Sequence, residues 1–206
     1  MIFGSWELAL IMGVFAYLVR ISVSGCRARM ASTIGRDPWL TAMCKAAFNM
    51  RVLAYDPYVQ TSDLAEMVSL EDVLRVSDFV SLHPVLTPET HHLINASRLA
   101  LMKATAYLIN TSRGSVIDEA ALIAALQQGR LAGAGLDVFE TEPPRTDNPL
   151  LRMDNVIGTP HGLSHADESL RRCASMTEEN VLAIIDGRLP PYIVNPQVRW
   201  RVLQEA

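Results

Sequence analysis

From Met50 onward the chain alternates between two kinds of segment, and this alternation constrains its fold more than any other feature. Short apolar runs stand at Arg51–Tyr55 (RVLAY), Phe79–Leu82 (FVSL), Ala106–Ile109 (AYLI), Ala134–Val138 (AGLDV) and Asn155–Gly158 (NVIG). They lack polar alternation, as strands covered on both faces do. Between them lie helical patterns with capping residues. Ser69 is placed to cap Leu70–Val76, with Asp72 at the capping-box position, and Asn95 to cap Ala96–Met102. Asp118 is placed to cap Glu119–Gln128, and Gly129 supplies a left-handed stop. Ser164 is placed to cap a long helix to Ile185, ended by Gly187 and the pair Pro190–Pro191. Strands and helices in turn, joined by short loops, predict an α/β fold with a parallel, doubly wound sheet. Right-handed crossovers then bring the strand C-termini to one edge, where ligands bind.

The first fifty residues read differently. Ser24 to Thr41 mixes Gly, Arg, Ser, Asp and Pro without a period and is expected to be irregular, and Trp39–Met50 is expected to form a helix. Leu8 to Val19 carries no charge, but a membrane-spanning helix needs about 20 apolar residues. Glu7 and the apolar start do not resemble a secretory leader. The stretch is expected to be a helix buried against another subunit or domain. Half of the 206 residues are hydrophobic and 19% are charged, which excludes a disordered chain. A balance of 18 basic against 22 acidic side chains offers nothing to attract nucleic acid or an anionic membrane. Cys26, Cys44 and Cys173 lie far apart without a C-x-x-C, so neither a disulfide framework nor a zinc site is expected, and a reducing cytoplasm fits best.

Several polar residues fall at the expected ligand edge. Asp56 follows RVLAY and can accept hydrogen bonds from both ribose hydroxyls of an adenosine, while its charge repels a 2′-phosphate; a turn aspartate before Pro57 is the alternative. Arg113 lies in Asn110-Thr111-Ser112-Arg113-Gly114, just beyond a strand. Its guanidinium can hold a carboxylate through two parallel hydrogen bonds, although an exposed loop arginine would look the same. Asp137 ends the next strand, and Glu142 stands in the proline-flanked DVFETEPP. His161 follows NVIGTP. A carboxylate beside an imidazole orients the ring and favours its charged form, giving an acid/base group for neutral pH. His161 and His165 are spaced i, i+4, but Gly162 and Ser164 intervene and no metal site is expected. His91-His92 reads as a solvated turn, and Arg171-Arg172 and Glu178-Glu179 as solvated helix faces.

Five segments together carry a resemblance: RVLAYDP at 51–57, SLHPVLTPET at 81–90, LINTSRGSVIDEAALIAAL at 108–126, GRLAGAGLDVFETEPP at 129–144 and NVIGTPH at 155–161. From about Met50 to Val198 the chain resembles the nucleotide-binding domain of the D-isomer-specific 2-hydroxyacid dehydrogenases. That resemblance implies a Rossmann-type sheet, NAD, and interconversion of 2-keto and D-2-hydroxy acids. It places Arg113 as the substrate-binding arginine, His161 as the catalytic histidine and Glu142 as its partner. Asp56 corresponds to the ribose-binding acid and Asp137 to the aspartate near the nicotinamide carboxamide. Thr111 and Ser112 correspond to neighbours of the nicotinamide half, and His83 opens a loop over the cofactor. WELALIMGVFAYLVR, at 6–20, resembles the family's dimerisation helix, which implies a homodimer.

Two departures stand out. The family pattern of strand, G-x-G-x-x-G and helix about 20 residues before the ribose acid falls on Ser32 to Leu40 (STIGRDPWL), where Gly35 is the lone glycine. An apolar strand before it is also missing, so a deletion is expected there. Gly133-Ala134-Gly135 mimics the pattern but begins a strand. Second, little of the family's substrate domain precedes the nucleotide domain. The expected organisation is therefore a truncated Rossmann-type sheet with an N-terminal helix: residues 1–37 as remnant, 38–190 as NAD-binding domain, and 191–206 as a tail. An active dehydrogenase is the first expectation. A silent remnant, or a dimerising or nucleotide-sensing module, is the second.

Overall fold

The computed structural model describes residues 29–33, 38–163 and 165–194. The apolar stretch at 8–19 and the tail beyond Val194 lie outside the described residues. The chain divides into two compact units, Met1–Leu163 and Ser164–Ala206.

Among the described residues the first unit has seven strands: β1 (Arg29–Thr33), β2 (Arg51–Tyr55), β3 (Glu66–Met67), β4 (Phe79–Leu82), β5 (Tyr107–Asn110), β6 (Gly133–Leu136) and β7 (Val156–Gly158). All neighbours are parallel, in the order β3-β2-β1-β4-β5-β6-β7. The helices between them are α1 (Pro38–Phe48), α2 (Leu70–Val76), α3 (Ala96–Leu99) and α4 (Glu119–Gln127). The chain runs outward from β1 to β3, then returns to lay β4 on the other side of β1. The strand order thus reverses between β1 and β4, the place where doubly wound sheets open a crevice for ligands.

The capping residues act as their spacing predicts. Ser69 Oγ accepts from the Asp72 amide at 3.1 Å, Asn95 Oδ1 from the Arg98 amide at 3.1 Å, and Asp118 Oδ1 from the Ala121 amide at 3.0 Å. Each satisfies one amide that a helix start leaves without a partner. Gly129 takes φ 65° and stops α4. Helix α3 is shorter than expected, because after Leu99 the chain tightens into i→i+3 bonds, Leu101 to Arg98 and Met102 to Leu99. Strands β4 and β5 and helices α2 and α4 bury Val80, Leu82, Leu108, Leu74 and Leu122 to 1% exposure or less. Each such side chain contributes about 1.5–3 kcal/mol of transfer free energy. A smaller cluster of Leu40, Cys44 and Val52 seats α1 on β2.

The segment expected to be irregular holds an interior strand of the sheet. Residues 29–33 read RMAST, with no apolar run, yet they pair with β2 on one side and β4 on the other. Two flanking ladders impose extended backbone on a sequence whose own preference is weak. The expected deletion is likewise corrected, since β1, a four-residue connection and α1 are all present. The span from Thr33 through Pro38 has the length of G-x-G-x-x-G, with Gly35 at the middle glycine and Thr33 and Pro38 at the outer two.

In the second unit, α5 (Asp167–Ile185) begins after Ala166, which makes no side-chain cap; Ser164 lies outside the described residues. Asp167 and Glu168 complement the dipole at its start. Gly187, at φ 65°, ends it. Arg171, Arg172, Glu178 and Glu179 are exposed. Among the described residues no helix is long and apolar enough to cross a membrane.

Candidate functional site

Strand register decides which residues meet at the ligand edge. Tyr55, Thr33, Leu82, Asn110, Leu136 and Gly158 stand side by side across six strands. The chain continues past this row as Asp56, His83, Thr111, Asp137 and Thr159. Four of the expected site residues therefore lie one step beyond a common line of backbone hydrogen bonds.

His161 and Glu142 come together at the β6–β7 end. His161 Nδ1 donates to Glu142 Oε2 at 2.8 Å, and Glu142 Oε1 accepts from the Phe139 amide at 3.0 Å. Because a carboxylate only accepts, the proton stands on Nδ1 and Nε2 is left for a ligand. His161 has φ 52°, a left-handed conformation uncommon outside glycine. Asp137 fixes this turn. Its carboxylate is buried and accepts from the Thr159 hydroxyl at 2.6 Å and the Gly162 amide at 2.9 Å, and its carbonyl accepts from the His161 amide at 2.9 Å. The structure thus places Asp137 beneath the histidine turn, with its side chain engaged by that turn.

Burial pushes the Glu142 carboxyl upward, but the hydrogen bond from His161, the Phe139 amide and the charges of His161 and Arg113 outweigh it, and the pKa is lowered overall. Arg113 follows β5 in a loop organised by Asn110, which is 1% exposed. Asn110 Nδ2 donates to the Arg113 carbonyl at 2.9 Å, while its Oδ1 accepts from the Ser112 amide and hydroxyl at 3.0 and 2.8 Å. Gly114 is required next, because a Cβ there would land on the Phe139 carbonyl. Residues 83–86 and 111–113 line an open groove of about 320 Å³ between the ends of β4 and β5. His83 Nε2 lies 2.8 Å from Ser81 Oγ. The volume suits a small ligand or part of a larger one, at the lower end of known pockets.

Asp56 stands apart, at the end of β2 on the far side of β1. Its Oδ1 accepts from the Tyr58 amide at 2.7 Å, as a turn aspartate does. Gly133 and Gly135 lie inside β6; a Cβ on Gly133 would come 2.6 Å from the Asn155 carbonyl oxygen. They serve strand packing. Sequence reasoning passed over Asn110 and Thr159. Asn110 closes β5 and Thr159 follows β7, places from which a polar side chain can hydrogen-bond the loops that leave the sheet.

This arrangement has relatives. The sequence model of the D-isomer specific 2-hydroxyacid dehydrogenase NAD binding domain matches residues 32–162. A glyoxylate reductase of Korarchaeum cryptofilum is 42% identical over 204 residues, covering 95% of this chain and 59% of that protein. The chain thus spans about three fifths of that relative's length. Among solved structures, the TT0316 protein of Thermus thermophilus superposes with TM-score 0.77 at 35% identity, over 92% of this chain and 66% of that one. A D-isomer specific 2-hydroxyacid dehydrogenase of Xanthobacter autotrophicus, in complex with NADPH and MES, gives TM-score 0.71 at 30% identity, over 94% of this chain and 90% of that one. Matched through most of its sheet and through the segments that carry Arg113, Glu142 and His161, the chain belongs to the D-isomer specific 2-hydroxyacid dehydrogenase family, by way of its NAD binding domain.

Proposed function

We propose that this chain interconverts 2-keto acids and D-2-hydroxy acids by hydride transfer with NAD. One observation carries the reading: the 2.8 Å bond from His161 Nδ1 to Glu142. The edge of the sheet suits an extended dinucleotide. Asp56 beyond β2 would hold the adenosine ribose, and Thr111 and Ser112 beyond β5 would flank the nicotinamide half, with the crossover at β1 and β4 between them. When bound, the nicotinamide would supply or accept the hydride at C2.

The protein's own residues would do the rest. Arg113 would clamp the substrate carboxylate through two hydrogen bonds and turn C2 toward the groove. His161 Nε2 would give its proton to the C2 oxygen in reduction and take it back in oxidation. Glu142 would hold the ring and balance its positive charge. Asp137 and Thr159 would keep the left-handed turn in place, so that Nε2 faces the substrate oxygen.

The test is the loss of NADH absorbance after glyoxylate, hydroxypyruvate or pyruvate is added to the folded chain. Glyoxylate comes first, given the name of the relative above. Absence of oxidation with all three removes the activity.

A second reading has its own observation. Between β1 and α1 the chain carries a single glycine, Gly35. A phosphate loop with Thr33 and Pro38 at its outer positions would cradle a pyrophosphate less closely, and Pro38 has no amide to give. On that reading the chain is a catalytically silent remnant or a dimerising module of its family. Saturable, tight NADH binding followed by fluorescence would argue against it.

A further inference from the structure

We propose that His91, His92 and Glu140 form a binding site for a divalent transition metal, Zn²⁺ foremost, separate from the Arg113–Glu142–His161 group. The sequence pattern marks His91-His92 only as a solvated turn, but the fold brings a carboxylate from 48 residues away onto it. One ligand atom from each of the three residues lies within 4.8 Å of the other two. His92 Nε2 stands 2.7 Å from Glu140 Oε1, and the two imidazole rings stack with centroids 4.0 Å apart.

The site is held from behind. Glu140 Oε2 accepts from the Glu119 amide at 3.2 Å, and Glu119 Oε2 accepts from the Glu140 amide at 3.0 Å. Asn148 Nδ2 donates to Glu119 Oε1 at 2.8 Å. This reciprocal clamp leaves Glu140 Oε1 turned toward His92. The histidine loop is fixed in turn, since the His92 amide donates to the Ser115 carbonyl at 2.8 Å and the Ile94 amide to the Val116 carbonyl at 3.0 Å. His92 itself has φ 51°, a conformation that costs a non-glycine residue energy and that these bonds maintain. Ligands braced by an outer layer of hydrogen bonds are the pattern of metal sites.

Donor chemistry selects the metal. Two imidazole nitrogens and one carboxylate oxygen suit Zn²⁺ and its transition-metal neighbours, whereas Mg²⁺ and Ca²⁺ take sets of oxygens. At metal–ligand bonds of about 2.0–2.2 Å in tetrahedral geometry, His92 Nε2 and Glu140 Oε1 must separate to roughly 3.4 Å. The metal would therefore replace the proton now shared by that pair, and the proton would leave to solvent. Three protein ligands leave a fourth position for water. Glu140 adjoins Phe139, whose amide holds Glu142, so an occupied site would stiffen the strap that carries the Glu142 carboxylate.

The experiment titrates the whole chain, freed of metal by a chelator, with Zn²⁺ alone by calorimetry. One Zn²⁺ per chain with micromolar affinity is expected. His91→Asn, His92→Asn and Glu140→Gln should each weaken binding by about tenfold or more. Asn tolerates the left-handed backbone at position 92, and Gln still accepts from the Glu119 amide. His161→Asn should leave this affinity unchanged, which separates the site from the other imidazole–carboxylate pair. Mg²⁺ should not compete. X-ray absorption of the Zn²⁺-loaded natural chain, which needs no variant to fold, should show two imidazoles and one carboxylate. No binding by the natural chain, unaltered affinity in the three variants, loss in His161→Asn, or a different ligand shell would each overturn the proposal.

Discussion

The two ends of the ligand edge are preserved unequally. At the β5–β7 end, the polar groups that shape the histidine turn and the arginine loop, from Asn110 to Gly162, have their partners. At the β1–α1 end, the backbone elements are in place, but two of the three positions that make a phosphate loop close-fitting are Thr33 and Pro38. Strand pairing preserves a fold where side chains have drifted, because a ladder uses backbone groups that every residue but proline carries. A reactive cluster has no such tolerance, since each member needs a particular side chain at a particular place. The contrast predicts a chain that retains the means for proton transfer and binds its dinucleotide weakly.

The largest expected effect tests the intact end. His161→Asn keeps a residue that accepts a left-handed backbone but has no proton to exchange at neutral pH. Glyoxylate reduction should fall by about 100- to 10,000-fold, while NADH binding by fluorescence stays within error. Equal activity in the variant would mean that the preserved cluster is a relic. The drifted end is tested by repair. Thr33→Gly with Pro38→Gly restores the glycine spacing and one amide at the start of α1. A recovered charge-assisted hydrogen bond contributes about 1.5–3 kcal/mol, so the Kd for NADH should drop by about ten- to a hundredfold. An unchanged Kd would show that the phosphate loop does not limit dinucleotide affinity.

Gly114 links the loop of Arg113 to the strap of Glu142, and a smaller effect is expected there. In Gly114→Ala the new methyl meets the Phe139 carbonyl, so backbone must shift. Overpacking of this kind costs about 1–3 kcal/mol, read as a lowered denaturant midpoint with unchanged slope. Gly129→Ala is its counterpart: a Cβ there meets nothing, and the cost, about 1 kcal/mol, comes from φ 65° alone. If the two variants are equally destabilised, Gly114 is not a point of close approach.

The same contrast explains what could be read from the sequence. Strands β2 and β4 and helix α2 carry their own apolar runs and caps, and their expected bounds agree with the structure at both ends. Arg113, Glu142 and His161 were legible because each falls just past a strand of that kind. Strand β1 was not, because RMAST has no apolar run and becomes a strand only through β2 and β4. The place of Asp137 just past a strand was legible, but its bonds to Thr159 and Gly162 were not, since they depend on how the β6 and β7 ends lie in space. The convergence of His91, His92 and Glu140 was hidden for the same reason.

The smallest effect concerns acid. The Glu142 carboxyl is shifted below its ordinary value, by more hydrogen bonding and positive charge than its burial opposes. A carboxyl lowered in the folded state stabilises the protein above its ordinary pKa, and that stability is lost as pH falls through the lowered value. Because the side chain is 37% exposed, solvent screens the pair with His161, and the contribution is at most about 1 kcal/mol. Glu142→Gln should therefore unfold at nearly the same denaturant concentration at acid pH and slightly earlier at neutral pH, so the gap between the two proteins closes on acidification. A gap that widens toward acid would mean that the carboxyl is protonated in the fold, and Glu142 could not then serve as the anionic partner of His161.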